Sequence, residues 1–264
     1  MNNRHYPIIL ILVLMLSFAS IEIKAQQENT TLKVLCYNLR FGELANLKDL
    51  GTFIKSENPD IVMLQEVDIF TQREKAVHQN GKNFIAELGY YTEMMSAFGK
   101  SINYKGGYYG LGILSKYPIL SMQKIFLPLV EDGREQRSLL IARIELDNGL
   151  EVTVASTHLD LKPKIRLVQV AYINEILSQE TNPVILAGDF NAKPGSPEIS
   201  VGMKNWKKAC NDDLTTSSKN PGAKIDYIFC YPENSWNVID SKTSEVTLSD
   251  HFPVISVLEL IANN

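Results

Sequence analysis

The residues best suited to chemistry stand where apolar runs stop. Val184-Ile185-Leu186-Ala187-Gly188-Asp189-Phe190-Asn191 leads an apolar stretch into a glycine, then sets a carboxylate and a carboxamide two residues apart. An extended backbone aims both polar groups to the same side. The turn-forming Ala192-Lys193-Pro194-Gly195-Ser196-Pro197 follows at once, so the pair belongs to a strand end. A carboxylate is costly inside a core unless partnered, and a glycine before it points to close backbone approach. The same arrangement recurs at Asn38, Glu66, His158 with Asp160, Asp226, and Asp250 with His251.

Each of these has a plainer reading on its own. Asn38 could form a turn, Glu66 could be a solvated strand end, and His158 could be a satisfied core histidine. Asp226 could pair with Lys224, and Ser249-Asp250-His251 could cap a turn. Together they are harder to dismiss. Carboxylates, amides and imidazoles gathered at strand ends would repel one another or stay unsatisfied without a positive centre. A hard divalent cation with oxygen ligands answers that need. The two histidines lack the i,i+4 helical spacing of a zinc-protease motif, which favours acid–base or anion-binding roles.

The elements that must hold these residues follow from periodicity and turn chemistry. Strands are expected over 32–38, 61–68, 90–97, 110–115, 119–126, 138–146, 150–157, 184–191, 225–230 and 252–260. Helices are expected over 47–55, 75–88 and 163–179, with a short one from Ser196-Pro197. Residues 98–109 read as a loop rich in glycine and tyrosine, 205–222 as irregular, and Asp147-Asn148-Gly149 as a hairpin turn. Many hairpin strands with interspersed helices suggest one mixed α/β domain with two packed sheets.

The chain has 264 residues, 45% of them hydrophobic, enough for a substantial core. Its formal charge of −4 argues against a protein built for nonspecific binding to a phosphate backbone, although a local basic groove is compatible with it. Residues 1–25 place Arg4 before an apolar run from Pro7 to Ala19 and resemble a cleaved secretory signal peptide, so a secreted or periplasmic protein is expected. An uncleaved anchor is the alternative. Without this segment 24 basic residues face 29 acidic ones. A polar spacer, 26–31, would then lead into one domain over 32–264. Cys36, Cys210 and Cys230 are too few and too uneven for a disulfide framework, and no His/Cys cluster has zinc-ligand spacing.

Asn38 in Tyr37-Asn38-Leu39-Arg40-Phe41-Gly42, Glu66 in Leu64-Gln65-Glu66-Val67-Asp68, Ser156-Thr157-His158-Leu159-Asp160, Gly188-Asp189-Phe190-Asn191, Lys224-Ile225-Asp226-Tyr227 and Leu248-Ser249-Asp250-His251 occur in one order. This ordered set resembles the endonuclease/exonuclease/phosphatase superfamily, the DNase I-like metal-dependent phosphoesterases. The resemblance spans 32–260. It implies an α+β fold, a four-layer α/β/β/α sandwich of two mixed, mostly antiparallel sheets with the site at one edge. It also implies Mg2+, with Mn2+ as an alternative, held mainly by Glu66, with Asn38 close to both metal and phosphate and Asp250 a further metal or water contact. Asp189 would orient or deprotonate the attacking water or protonate the leaving group, and Asn191 would fix phosphate or water. His158 would donate to a phosphate oxygen, and His251, held by Asp226, would stabilise the transition state.

Two departures from the family pattern stand out: Lys224 where arginine is common and Leu111 where asparagine is common. Arg137 matches a recurrent family arginine and could contact substrate or pair with a core carboxylate. Tyr104, Tyr108 and Tyr109 could stack on a base or sugar, or simply pack their loop, with Tyr109 taken as the substrate contact. The reaction expected is hydrolysis of a phosphodiester or phosphomonoester in a small metabolite, sugar or lipid headgroup. A secreted nuclease is the second reading, and a non-catalytic binding protein on the same fold the third. A monomer without an obligate protein partner is expected.

Overall fold

Among the described residues the strands pair into two six-stranded sheets, whose central strands are buried on both faces. The computed structural model describes residues 30–131, 133 and 135–261; the segment expected to be a signal peptide lies outside the described residues. In chain order the elements are β1 (Thr30–Asn38), α1 (Leu47–Glu57), β2 (Ile61–Ile69), α2 (Phe84–Thr92), β3 (Met95–Tyr104), β4 (Gly107–Ser115), β5 (Ile119–Phe126) and β6 (Ser138–Glu145). They continue as β7 (Glu151–His158), α3 (Pro163–Leu177), β8 (Val184–Asp189), α4 (Pro197–Ser200), β9 (Lys207–Lys208), β10 (Asp226–Tyr231), β11 (Trp236–Thr243) and β12 (Val254–Leu260). The first sheet runs β11-β12-β1-β2-β4-β3 and the second β5-β6-β7-β8-β10-β9.

Side-chain alternation along β1 and β2 makes the layers. Leu35, Tyr37, Val62 and Leu64 face outward and bury with Leu47, Leu50 and Ile54 of α1 and Phe84, Ile85 and Leu88 of α2. The alternate residues Leu32, Val34, Cys36, Ile61 and Met63 share a cluster with Val154, Ile185, Ala187 and Ile228 of the second sheet. Val170, Ile173 and Leu177 of α3 join that cluster as the crossover between parallel β7 and β8. The result is the expected α/β/β/α sandwich, and all three cysteines are buried and free.

The pairing sends the candidate residues to one edge. β1 and β2 are parallel, as are β7 and β8, so their C-terminal ends carry Asn38, Glu66, His158 and Asp189. β10 is antiparallel to β8 and β12 to β1, which brings Asp226 and the segment before Val254 to the same edge.

Several boundaries differ from expectation. The helix expected over 75–88 is a 3-10 segment, Glu74–Gln79, followed by α2, whose start is set by the Asn83 Oδ1 accepting from the Ala86 N–H at 3.3 Å. Residues 90–92, expected as strand, finish that helix. Their β-forming side chains are overridden by packing on α1, where Tyr91 lies over Gly51 so tightly that no Cβ fits there. The loop expected at 98–109 is mostly hairpin, β3 and β4 joined at Lys105-Gly106, both with positive φ. β1 begins at Thr30 rather than 32, and β11 and the short β9 are additional strands.

Candidate active site

Gly188 explains how β8 reaches the edge. A Cβ there would lie 2.0 Å from the Thr157 carbonyl oxygen, so only glycine lets β7 and β8 run this close beside Asp189 and His158. Asp189 is opposite His158 on one side and Asp226 on the other. Its Oδ1 accepts from the Asn191 N–H at 2.8 Å, a local turn that holds Asn191 at φ 50°. The Asn191 carboxamide donates from Nδ2 to the Leu159 carbonyl at 3.0 Å, tying the ends of β7 and β8 together.

Glu66 sits at a bulge. The register between β2 and β4 slips between Leu64 and Val67, and Glu66 takes φ 56°. A left-handed conformation costs a non-glycine residue about 1–3 kcal/mol. Here it turns the side chain toward the edge. The Asn38 carboxamide bridges the two acids, donating from Nδ2 to Glu66 Oε1 at 3.3 Å and to Asp189 Oδ2 at 3.0 Å. Its Oδ1 accepts from the Arg40 N–H at 3.0 Å, which fixes the carboxamide orientation.

The two histidines flank Asp189. His158 Nε2 lies 3.4 Å and His251 Nε2 3.8 Å from Asp189 Oδ2. His251 Nδ1 shares a hydrogen bond with Asp226 Oδ2 at 2.9 Å. Ser249 pins the segment by donating from Oγ to the Asn38 carbonyl at 2.7 Å, and the Phe252 N–H donates to Thr215 O at 2.7 Å.

Burial and neighbours set opposite protonation states. Burial, then the Asp226 charge, raises Asp189 to about 7. Burial works against a charged His251, but the Asp226 carboxylate outweighs it and lifts the imidazole to about 10. His158 is pushed well below its ordinary value by burial, then by the Arg137 cation and by His251. Burial also raises Glu66, although the Asn38 hydrogen bond acts the other way. At neutral pH the edge therefore holds a charged His251, a neutral His158 and an Asp189 poised to gain or lose a proton.

Ligand atoms of Asp189, Asp226 and His251 lie within 4.8 Å of one another, close enough for one cation to span. The geometry favours a proton there instead, because His251 Nδ1 and Asp226 Oδ2 already share one. Glu66 is different. It has no ion-pair partner among the described residues, and its neighbour Asn38 offers an oxygen with one lone pair unused by Arg40. Hard oxygen donors beside further carboxylates fit a hard divalent cation.

Other expected residues are placed as follows. Asp250 lies at the same edge but is held by an ion pair to Arg40 Nη1. That cation, 210 positions away in sequence, was not foreseen, and it competes with metal ligation by Asp250. Asp160 turns away to start α3, its Oδ1 accepting from the Lys162 N–H at 2.8 Å. Arg137 is buried near Glu66 and His158, pairs with Glu135 at 3.0 Å and keeps a buried Nε without a partner among the described residues. Tyr109 is buried, its ring 6.2 Å from that of half-buried Tyr104 and both near the Arg73 guanidinium, so Tyr109 packs rather than presents an open stacking face. Tyr108 is the exposed one. Lys224 does not pair with Asp226; it is buried beside the Tyr227 ring, its Nζ without a hydrogen-bond partner among the described residues. Leu111 is core between the sheets.

The model of the endonuclease/exonuclease/phosphatase family matches residues 35–251, from β1 through His251. The chain belongs to that family. It is accordingly an enzyme that hydrolyses phosphoester bonds, and its two-sheet sandwich is the family fold. Among curated relatives, the uncharacterised protein YbhP of Escherichia coli K12 is 29% identical over 215 residues, covering 77% of each chain. An endonuclease/exonuclease/phosphatase structure from Bacteroides vulgatus superposes with a TM-score of 0.71 at 22% identity, covering 88% of this chain and 99% of that one. A mannosyl-6-phosphatase from Bacteroides thetaiotaomicron gives 0.68 at 18% identity over 86% and 99%.

Proposed function

We propose that this family member is an exported, Mg2+-dependent phosphoesterase acting on a phosphate ester of a small molecule, as a monomer without an obligate protein partner. The observation that carries the reading is the Asn38 bridge between Glu66 and Asp189, with both histidines aimed at Asp189. A phosphate ester is anionic and repels a nucleophile, so a site for it needs positive charge and a base held apart. Glu66, with the Asn38 carbonyl oxygen, would hold the cation. When bound, it supplies charge neutralisation and polarisation of a P–O bond.

The remaining steps belong to side chains of this chain. Asp189, with a pKa of about 7, accepts the proton of the attacking water while Asn38 and the Asn191 N–H fix its two oxygens. His251 stays charged because Asp226 holds Nδ1, so its Nε2–H is free to stabilise the negative charge gathering on phosphorus-bound oxygen. Neutral His158 adds a second donor when its proton is on Nε2. The buried Nε of Arg137, without a partner among the described residues, belongs to a further cation that a phosphate oxygen would satisfy.

A small phosphorylated substrate is supported by the acidic charge balance and by the phosphatase among the structural neighbours. Export is supported by the cationic-then-apolar pattern of residues 1–25. The test is turnover of p-nitrophenyl phosphate, bis-p-nitrophenyl phosphate, plasmid DNA and phospholipid vesicles by the purified protein with Mg2+. Preferential hydrolysis of a small ester is expected. Dominant nicking of plasmid DNA would replace this reading with a nuclease.

A further inference from the structure

Beside the catalytic edge lies a cavity of about 230 Å3 lined by Phe41, Arg73, Glu74, Lys75, Tyr104 and Lys105. Its lining residues adjoin residues that neighbour the site. Phe41 follows Arg40, the partner of Asp250, in the turn that leaves Asn38. On the other side the Tyr104 ring lies against Tyr109, whose phenol is pushed above its ordinary pKa by burial and then by the nearby Glu66 carboxylate. Asp68, which anchors Arg73, is two residues beyond Glu66 on β2.

One wall of the cavity is held in place, and its charged lining is mostly cationic. The Asp68 carboxylate accepts from Arg73 Nε at 2.5 Å and Nη2 at 3.0 Å, and the Thr71 hydroxyl donates to it at 2.6 Å. The guanidinium lies 4.0 Å from the Phe41 ring centroid and 4.3 Å from that of Tyr104. Its charge is therefore held in place, while Nη1 keeps no hydrogen-bond partner among the described residues. The Gln72 N–H donates to Lys105 O at 2.9 Å and fastens the two loops that carry the lysines. Lys75 and Lys105 are exposed and have no ion-pair partner among the described residues. Among the lining residues Glu74 is the one acid. Arg73, paired with Asp68, and two lysines unpaired among the described residues, around a small space with aromatic walls, suit one compact anion on a short carbon skeleton.

We propose that this cavity binds a second phosphate of the substrate, so that the preferred substrates are small bisphosphorylated molecules. The inference rests on the phosphoesterase reading above and names its substrate class. Anchoring the remote phosphate holds the reacting ester against the edge.

The test compares short-chain alkanediol bisphosphates with the matching monophosphates and p-nitrophenyl phosphate, for the wild type and for the double variant Lys75→Ala/Lys105→Ala. For the wild type, at least one bisphosphate shows a KM about tenfold or more below that of its monophosphate. In the double variant this advantage disappears while turnover of p-nitrophenyl phosphate is unchanged. Calorimetric titration of the same bisphosphate into Asp189→Asn protein gives the contrast without turnover. Equal KM values for every pair, or an advantage that survives loss of both lysines, overturns the proposal. So does an effect of the double variant seen only in plasmid DNA nicking, which would assign the cavity to the next phosphate of a polymer. Failure of the parent reading looks different: the wild type would leave p-nitrophenyl phosphate intact.

Discussion

Asn38 Nδ2 donates to Asp189 Oδ2 at 3.0 Å, a hydrogen bond between the ends of β1 and β8 that joins the two sheets at their shared edge. The same nitrogen reaches Glu66, so one carboxamide sets the spacing between the acid expected at the metal and the acid expected at the water. Asn38→Leu removes both bonds while keeping the size of the side chain. Turnover falls about a hundredfold, as for loss of other positioned polar groups, with the circular dichroism spectrum unchanged. Activity within a few-fold of wild type would show that Asn38 only forms a turn.

The Asp226–His251 pair predicts a pH profile. Activity rises as Asp189 loses its proton around pH 7 and declines as His251 loses its proton around pH 10. Asp226→Asn removes the charge that raises both groups. The descending limb then moves down toward the ordinary imidazole value of about 6.5, and turnover near neutrality drops about a hundredfold or more. A descending limb left near pH 10 in this variant would contradict the assignment. The pair also links stability to pH. His251 holds its proton more tightly folded than unfolded, so its contribution is full below about pH 6.5 and is lost as pH rises through about 10.

Gly188→Ala tests the close approach of β7 and β8. The new Cβ would meet the Thr157 carbonyl, a backbone atom with little room to move. Overpacking of this kind costs about 1–3 kcal/mol, read as a lower midpoint in urea unfolding. Unchanged stability would mean that the two strands are free to separate.

The strands nearest the site were legible because they are buried on both faces. β1, β2 and β8 therefore read as apolar runs that stop at a polar residue, and β10 as one that starts from Asp226. β11 was not legible. It is an edge strand with a bulge between Val238 and Asp240, and its apolar residues Val238 and Ile239 are adjacent rather than alternating. The ordered set of strand-end residues pointed to the site, and the structure gathers Asn38, Glu66, His158, Asp189, Asp226 and His251 at one edge. Arg40 and Arg73 were missed for a physical reason. Their roles come from partners that folding supplies, Asp250 for one and a cage of Phe41 and Tyr104 for the other. Tyr104 and Tyr109 were marked by residue type alone, which says nothing about the guanidinium already beside them.

The central claim is that Glu66 holds a divalent cation which the Asp189 edge uses to hydrolyse a phosphate ester. Its most direct test is turnover of p-nitrophenyl phosphate as Mg2+ is returned to chelator-treated protein, for the wild type and for Glu66→Ala. No turnover is expected without the cation, with saturable recovery in the wild type and at least about a hundredfold lower turnover in the variant. Turnover that survives chelation, or that Glu66→Ala retains in full, would contradict it.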